Sequence, residues 1–308
     1  MKSATSVYSS APALARPRLA DYVELARPRV AFLVLFTVAI GACLASVGMP
    51  EWLPLLHALF GTALVASGAS ALNQLFERHS DALMLRTENR PLPAGRLAPV
   101  EGFVFGMGLG IVGSVYLALT LRSPAAALVA SFTFLSYVFV YTPLKRVTTL
   151  NTLIGAVPGA LPPVIGWVAV RGRIDAQALA LFAILYLWQV PHFLAIAWIY
   201  KEDYGRAGLC MLPVFDATGS DTGRQMVRYS LVLIPVSLLP TVLGLAGLVY
   251  AAAAVLLGLG FLRASWRFLW DPSLPHARRV MRASLIYLPL LFLFLLLDSA
   301  ALGAWYRG

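Results

Sequence analysis

The sequence predicts an all-α, polytopic membrane protein with nine transmembrane helices, and three observations carry that prediction. The 308 residues are 59% hydrophobic and only 12% charged, with a mean hydropathy of +0.78, a balance that soluble domains do not reach. Nine apolar runs each approach the roughly 20 residues that a bilayer core takes. Across those runs the 24 Lys and Arg residues divide 20 to 4 between alternating sides, the asymmetry that places the richer side in the cytoplasm and requires an odd number of spans.

The elements follow in order. Residues 1–28 are polar and basic with no convincing cleavable signal, so they read as a cytoplasmic N-terminal segment ahead of one membrane domain over 29–305. Spans are expected near 30–48, 53–75, 100–120, 124–142, 152–170, 176–199, 227–246, 248–265 and 283–304. The fifth is the weakest, because Pro158, Pro162 and Pro163 imply a kinked or broken helix. The sixth carries Pro191 and His192. A basic loop, 263–282, is expected before the last span. The net charge of +10 would suggest nucleic acid in a soluble chain; here it reads as basic loops facing an anionic leaflet, with no nucleic-acid partner. Cys43 and Cys210 share no metal-ligand spacing and suggest no disulfide framework.

The long polar segments, 76–99 and 200–226, share the cytoplasmic side, so chemistry is expected there. Asn73, Glu77 and Asp81 recur every four residues and stack on one face if the second helix continues through them. Arg86, Arg90 and Arg96 follow. Acids that hold a hard cation through oxygen, backed by guanidinium groups, are what a diphosphate bound through Mg²⁺ requires. The alternative is a solvated loop, but Asn73 and Glu77 end an apolar run, where unpaired polar groups are costly. In YTPLKR (141–146), Lys145 and Arg146 alone would be ordinary basic anchors and Tyr141 an interface aromatic; beside the acidic face, Lys145 becomes a phosphate contact. A third cluster runs from Trp188 to Gly208, with His192 inside the span and Lys201, Glu202, Asp203 and Arg206 after it. His192 is as readily a packing residue as a ligand. Gly108, Gly110 and Gly113 match a dinucleotide fingerprint in letters only; mid-span, they read as helix packing.

The stretch N-x-x-x-E-x-x-x-D-x-x-M-x-R-T-x-x-R-P-L-P-x-G, Asn73 to Gly95, resembles the first acidic motif of the UbiA-type intramembrane prenyltransferases. ELARPRV (24–30), DALMLRTENRPLPAG (81–95), YTPLKRVTTLNTLIGAVPGALPPVIGW (141–167), and WQVPHF with DYGRAG and MLPV (188–214) are similar, more narrowly, to the haem-farnesylating branch of that superfamily. The resemblance covers residues 20–300. It implies nine helices around a central cavity open to the cytoplasmic leaflet of a cell inner membrane, with the C-terminus on the opposite side. It implies transfer of farnesyl from farnesyl diphosphate to a vinyl group of haem B, with addition of water. By position, Asn73, Glu77, Asp81 and Asp203 would hold Mg²⁺; Arg86, Arg90, Lys145 and Arg206 would hold diphosphate. His192, His79, Tyr141 and Trp188 become candidate haem contacts, and arginines of 263–282 candidate propionate partners. Haem A synthase or a cytochrome oxidase assembly factor becomes a partner to look for. Phe76, Tyr141, Trp188, Phe193 and Trp198 are candidates to face an allylic cation. Prenylation of a quinone precursor or chlorophyllide is the alternative reaction. Transport would suit the broken fifth span, but the acids gather at one face and no inverted repeat is visible.

Overall fold

The computed structural model describes residues 18–46 and 51–305, and among these nine helical segments are long and apolar enough to cross a membrane. Ahead of them lies a short amphipathic helix, α1 (Arg18–Ala26). The first four spans are α2 (Pro28–Ala45), α3 (Trp52–Asp81), α4 (Pro99–Thr120) and α5, which runs from Ala125 to Leu144. The fifth span is two helices, α6 (Asn151–Ala160) and α7 (Pro162–Arg171). Then come α8 (Ala176–Ile199), the short α9 (Lys201–Arg206), α10 (Ser220–Val236, with a further turn to Val242), α11 (Leu248–Trp270) and α12 (Leu274–Trp305). The helices α3 and α4 pack along each other, α2 lies on α7, α8 touches α6, α10 and α12, and α12 reaches α2, so the last span closes against the first.

The expected break in the fifth span falls at Leu161, between Ala160 and Pro162. Proline has no N–H to give to a preceding carbonyl, and two in succession end α6. Gln189, buried on α8, donates to the Ala156 carbonyl at 3.4 Å beside the break. The broken span is held against α2 by backbone contact: a Cβ at Gly41 would collide with the Pro163 carbonyl, and one at Gly166 with the Val38 carbonyl. Small residues are what allow helix backbones to approach this closely in a membrane.

Several boundaries differ from the sequence expectation. Residues 18–26 are helical and docked on the bundle: Arg96 Nε and Nη2 reach Asp21 (2.7 Å) and Glu24 (2.9 Å), and Gln74 Nε2 donates to the Leu25 carbonyl at 2.8 Å. Arg96 is therefore a clamp on α1. The other part of the polar segment, residues 1–17, lies outside the described residues. The basic loop 263–282 shrinks to 271–273, because α11 and α12 extend through the arginines. The single acid inside the last span, Asp298, accepts from the Gly247 and Tyr250 amides at 2.8 and 2.9 Å and so caps α11.

Candidate active site

The second span does continue through the acidic face, as helix to Asp81. Asn73, Glu77 and Asp81 are all buried, at 1%, 8% and 1% exposure. Carboxylates in so little solvent need partners, and each has one. Glu77 Oε1 meets Lys145 Nζ at 2.5 Å, and Asp81 Oδ2 meets Arg90 Nη1 at 2.6 Å. Ser80, on the same turn, accepts from Arg146 Nη2 at 2.6 Å. One atom remains: Asp81 Oδ1 is buried and has no hydrogen-bond partner. Arg86 leans instead toward the second polar segment, over the Tyr200 ring at 4.9 Å and toward Tyr204 Oη at 3.4 Å.

Lys145 is placed by an irregular stretch of α5. Pro143 supplies no amide, and residues 136–141 widen into a π-helical turn in which Thr142, through both its amide and its hydroxyl, donates to the carbonyl of Tyr137. The turn delivers Tyr137 Oη to Asn73 Oδ1 (3.1 Å) and the Thr142 hydroxyl to Asn73 Nδ2 (3.4 Å), fixing the amide orientation. The Lys145 ammonium sits 4.4 Å from the centroid of Tyr141. Burial opposes its charge, but Glu77 and the tyrosines outweigh burial and hold it above the ordinary lysine value. Arg90 moves the other way: burial, then the Arg27 charge, lowers it, against the pull of Asp81.

The second polar segment arranges differently from the expectation. Asp203 pairs with Arg206, three residues on within α9. Among the described residues no three His, Cys, Asp or Glu side chains converge as a metal-ligand cluster. The two polar segments meet through Met84, Ala207 and Leu209, with Tyr204 packed on them. Beneath, the Cys210 amide donates to the Lys145 carbonyl at 2.6 Å, and Asn151 Nδ2 to the Cys210 carbonyl at 2.6 Å. The carboxylate face is thus covered by its own counter-ions rather than standing open.

Of the candidate haem contacts, Tyr141 lies beside Lys145, as above. Trp188 and His192 stack at 5.0 Å on α8 and are tied to Ser284 of α12, His192 through Nδ1 at 2.7 Å and Trp188 through Nε1 to the carbonyl at 2.8 Å. His79 is exposed near the end of α3. The face of Trp198 is taken by Lys201 Nζ at 4.2 Å, and its edge packs on Phe268, so it is committed to packing. Phe193 packs beside His192, and Phe76 pairs with Phe139.

Three residues were missed as site residues by sequence reasoning. Tyr137 and Thr142 reach Asn73 only because of the π-helical turn; Pro143 was the available signal. Arg27 is the third. Among the described residues it is the only non-glycine with positive φ (φ 52°, ψ 64°), a conformation that costs an L-residue roughly 1–2 kcal/mol. It forms the corner between α1 and α2, and its charge acts on Arg90.

Fold and site together define a polytopic helical membrane protein with buried, cation-paired carboxylates gathered at one end of its bundle. The chain belongs to the UbiA prenyltransferase family, whose model matches residues 34–303. It is 46% identical over 291 residues to a protoheme IX farnesyltransferase of Solibacter usitatus (strain Ellin6076), covering 92% of this chain and 99% of that one. It is 46% identical over 280 residues to a protein of the same name from Myxococcus xanthus (strain DK1622), covering 90% and 94%. Among solved structures, a digeranylgeranylglyceryl phosphate synthase matches with a TM-score of 0.78 at 20% identity, covering 92% of this chain and 99% of that one. A UbiA homologue from Archaeoglobus fulgidus, bound to GPP and Mg²⁺, matches at 0.65 and 17% identity, covering 89% and 99%. These structures share the fold.

Proposed function

We propose that this chain transfers a farnesyl group from farnesyl diphosphate to a vinyl group of haem B, with addition of water, giving haem O and diphosphate. The observation that carries the reading is likeness at 46% identity, over nearly the full length of both chains, to proteins of that name. The ionic site agrees with it. Breaking the allylic C–O bond leaves negative charge on the departing diphosphate, and cations gathered in a low-dielectric site stabilise that charge. Lys145 and Arg90, now counter-ions to Glu77 and Asp81, are those cations, with Arg86, Arg206 and Arg27 around them. The vinyl carbon of haem forms the new C–C bond to the allylic carbon. Water adds to the resulting cation and loses a proton, giving the hydroxyl.

Mg²⁺ fits the donor set, which offers only hard oxygens and includes the unpartnered Asp81 Oδ1. Asn73, Glu77 and Asp81 would hold it, with Asp203 joining only on leaving Arg206. When bound it would neutralise diphosphate charge. Tyr137 and Thr142 hold the Asn73 amide so that one of its oxygen lone pairs stays available. For haem, Trp188 offers a flat face and His192 keeps Nε2 for iron, with Nδ1 engaged by Ser284; Tyr141 and His79 are the further contacts. Placement in a cell inner membrane, with the N-terminus and the site cytoplasmic and the C-terminus opposite, is supported by the 20-to-4 basic asymmetry.

Purified protein incubated with haem B, farnesyl diphosphate and Mg²⁺ should yield a product heavier by farnesyl plus water. Prenylation of a 4-hydroxybenzoate-type acceptor, with haem left untouched, would overturn the acceptor. Asp81→Asn should cut turnover by about 10²-fold or more in a folded protein.

A further inference from the structure

The arginines of α11 and α12 do not face the bundle. The buried face of α11 is Tyr250, Ala254, Gly258, Phe261, Ser265 and Phe268, locked by Ser265 on Ser230 and by Phe261 on Tyr287. Arg263, Trp266, Arg267 and Trp270 lie on the opposite face and are exposed. On α12, Ala277, Val280, Ser284 and Tyr287 are buried, while Arg278, Arg279 and Arg282 are exposed. Side chains fixed outward by this packing do not line the interior of the bundle.

Arg263 and Arg267 line a shallow surface groove of about 450 Å³ on α11, together with Leu259, Leu262 and Trp266. Among the described residues none of these five arginines has an acidic partner; the one acid in the connecting turn, Asp271, pairs with His276. Arg263 and Arg267 are one helical turn apart, so their guanidinium groups stand side by side. Leu259 lies one turn deeper than Arg263, and Leu262 one turn deeper than Trp266, toward the apolar middle of the span. Trp266, 50% exposed between them, is the residue type that settles at the headgroup level.

We infer that the outer face of α11, with the adjoining start of α12, binds an anionic phospholipid. Its phosphodiester lies on Arg263 and Arg267, and one acyl chain lies along Leu259 and Leu262. Five unpaired positive charges select a negative headgroup; continuity of the groove with the lipid-facing apolar surface selects a lipid over a soluble anion.

The test is native mass spectrometry of the full chain in neutral detergent, titrated with phosphatidylglycerol or phosphatidylcholine. The wild type should retain phosphatidylglycerol preferentially. R263Q/R267Q should lose roughly 30-fold in affinity for it, from about 1 kcal/mol per basic residue at the surface. L262W, which fills the groove and keeps both charges, should also weaken it, whereas R122Q, at the other end of the bundle, should not. Unchanged phosphatidylglycerol retention in R263Q/R267Q would overturn the inference. So would equal binding of glycerol 3-phosphate, which marks a plain anion site, or a loss of haem B binding with lipid retention intact, which would return these arginines to the propionates.

Discussion

The buried contact between Glu77 and Lys145 permits a test that separates stability from chemistry. The two side chains are each about one-tenth exposed and meet at 2.5 Å. Removing one partner of such a pair leaves an uncompensated charge and costs about 3–5 kcal/mol, whereas replacing both with neutral groups of similar volume is close to neutral. Lys145→Met and Glu77→Gln should therefore each destabilise strongly, and the double variant should recover most of the loss, giving a coupling energy of at least about 2 kcal/mol. Unfolding in SDS, followed by far-UV circular dichroism, measures this; farnesyl transfer on the same samples measures chemistry. The double variant should be folded and inactive. Because Lys145 is held above its ordinary value of 10.5, the lysine's share of the stabilisation is complete below that pH and is lost as pH rises through the folded-state value, so the cycle should read the same at pH 6 and pH 8. A coupling below about 0.5 kcal/mol would refute the buried contact, since exposed pairs give no more than that in many cases. A double variant with wild-type turnover would refute the role of the pair in the reaction.

Arg27→Gly should relieve a left-handed backbone and leave stability unchanged or higher by up to about 1 kcal/mol, while lowering farnesyl diphosphate turnover; unchanged kinetics would show the corner to be structural only. His192→Ala should shift the absorption spectrum of bound haem and weaken its binding, and an unchanged spectrum and affinity would remove His192 as a ligand. Asp216 accepts from the Gly219 and Thr222 amides at 2.9 and 2.7 Å; although burial alone would raise it, these bonds hold the carboxyl below its ordinary 3.8. Its contribution is full above that pH and falls away as pH drops through the folded-state value. Asp216→Asn should therefore lower the melting temperature at pH 7 by more than at pH 3, and an equal loss at both would sink the capping role.

The acidic face was legible because its signal is periodic and local. Four-residue spacing at the end of an apolar run means one helix face whatever the neighbours do, and the helix does run to Asp81. Lys145 was legible by proximity of motif, but its partner was not: only packing of α5 on α3 decides that it meets Glu77 rather than a phosphate or water. The arginines of 263–282 were misread for a related reason. Charge lowers local hydropathy and hides the ends of two helices, although arginines on an outward face at the headgroup level are compatible with helix.

The sequence by itself determined what depends on composition and period: an all-helical membrane bundle, its nine spans, a proline-broken fifth span, and an acid-rich face followed by arginines. Tertiary structure alone decided the pairings. It turned Arg96 into a clamp on α1, placed Arg27 in a strained corner near Arg90, brought Tyr137 and Thr142 to Asn73 through a π-helical turn, and left five arginines of α11 and α12 exposed on the outside of the bundle. The physical reason is that a buried charge or amide is stable only beside its complement, and which complement lies within about 3 Å is set by packing between helices, which no local pattern encodes.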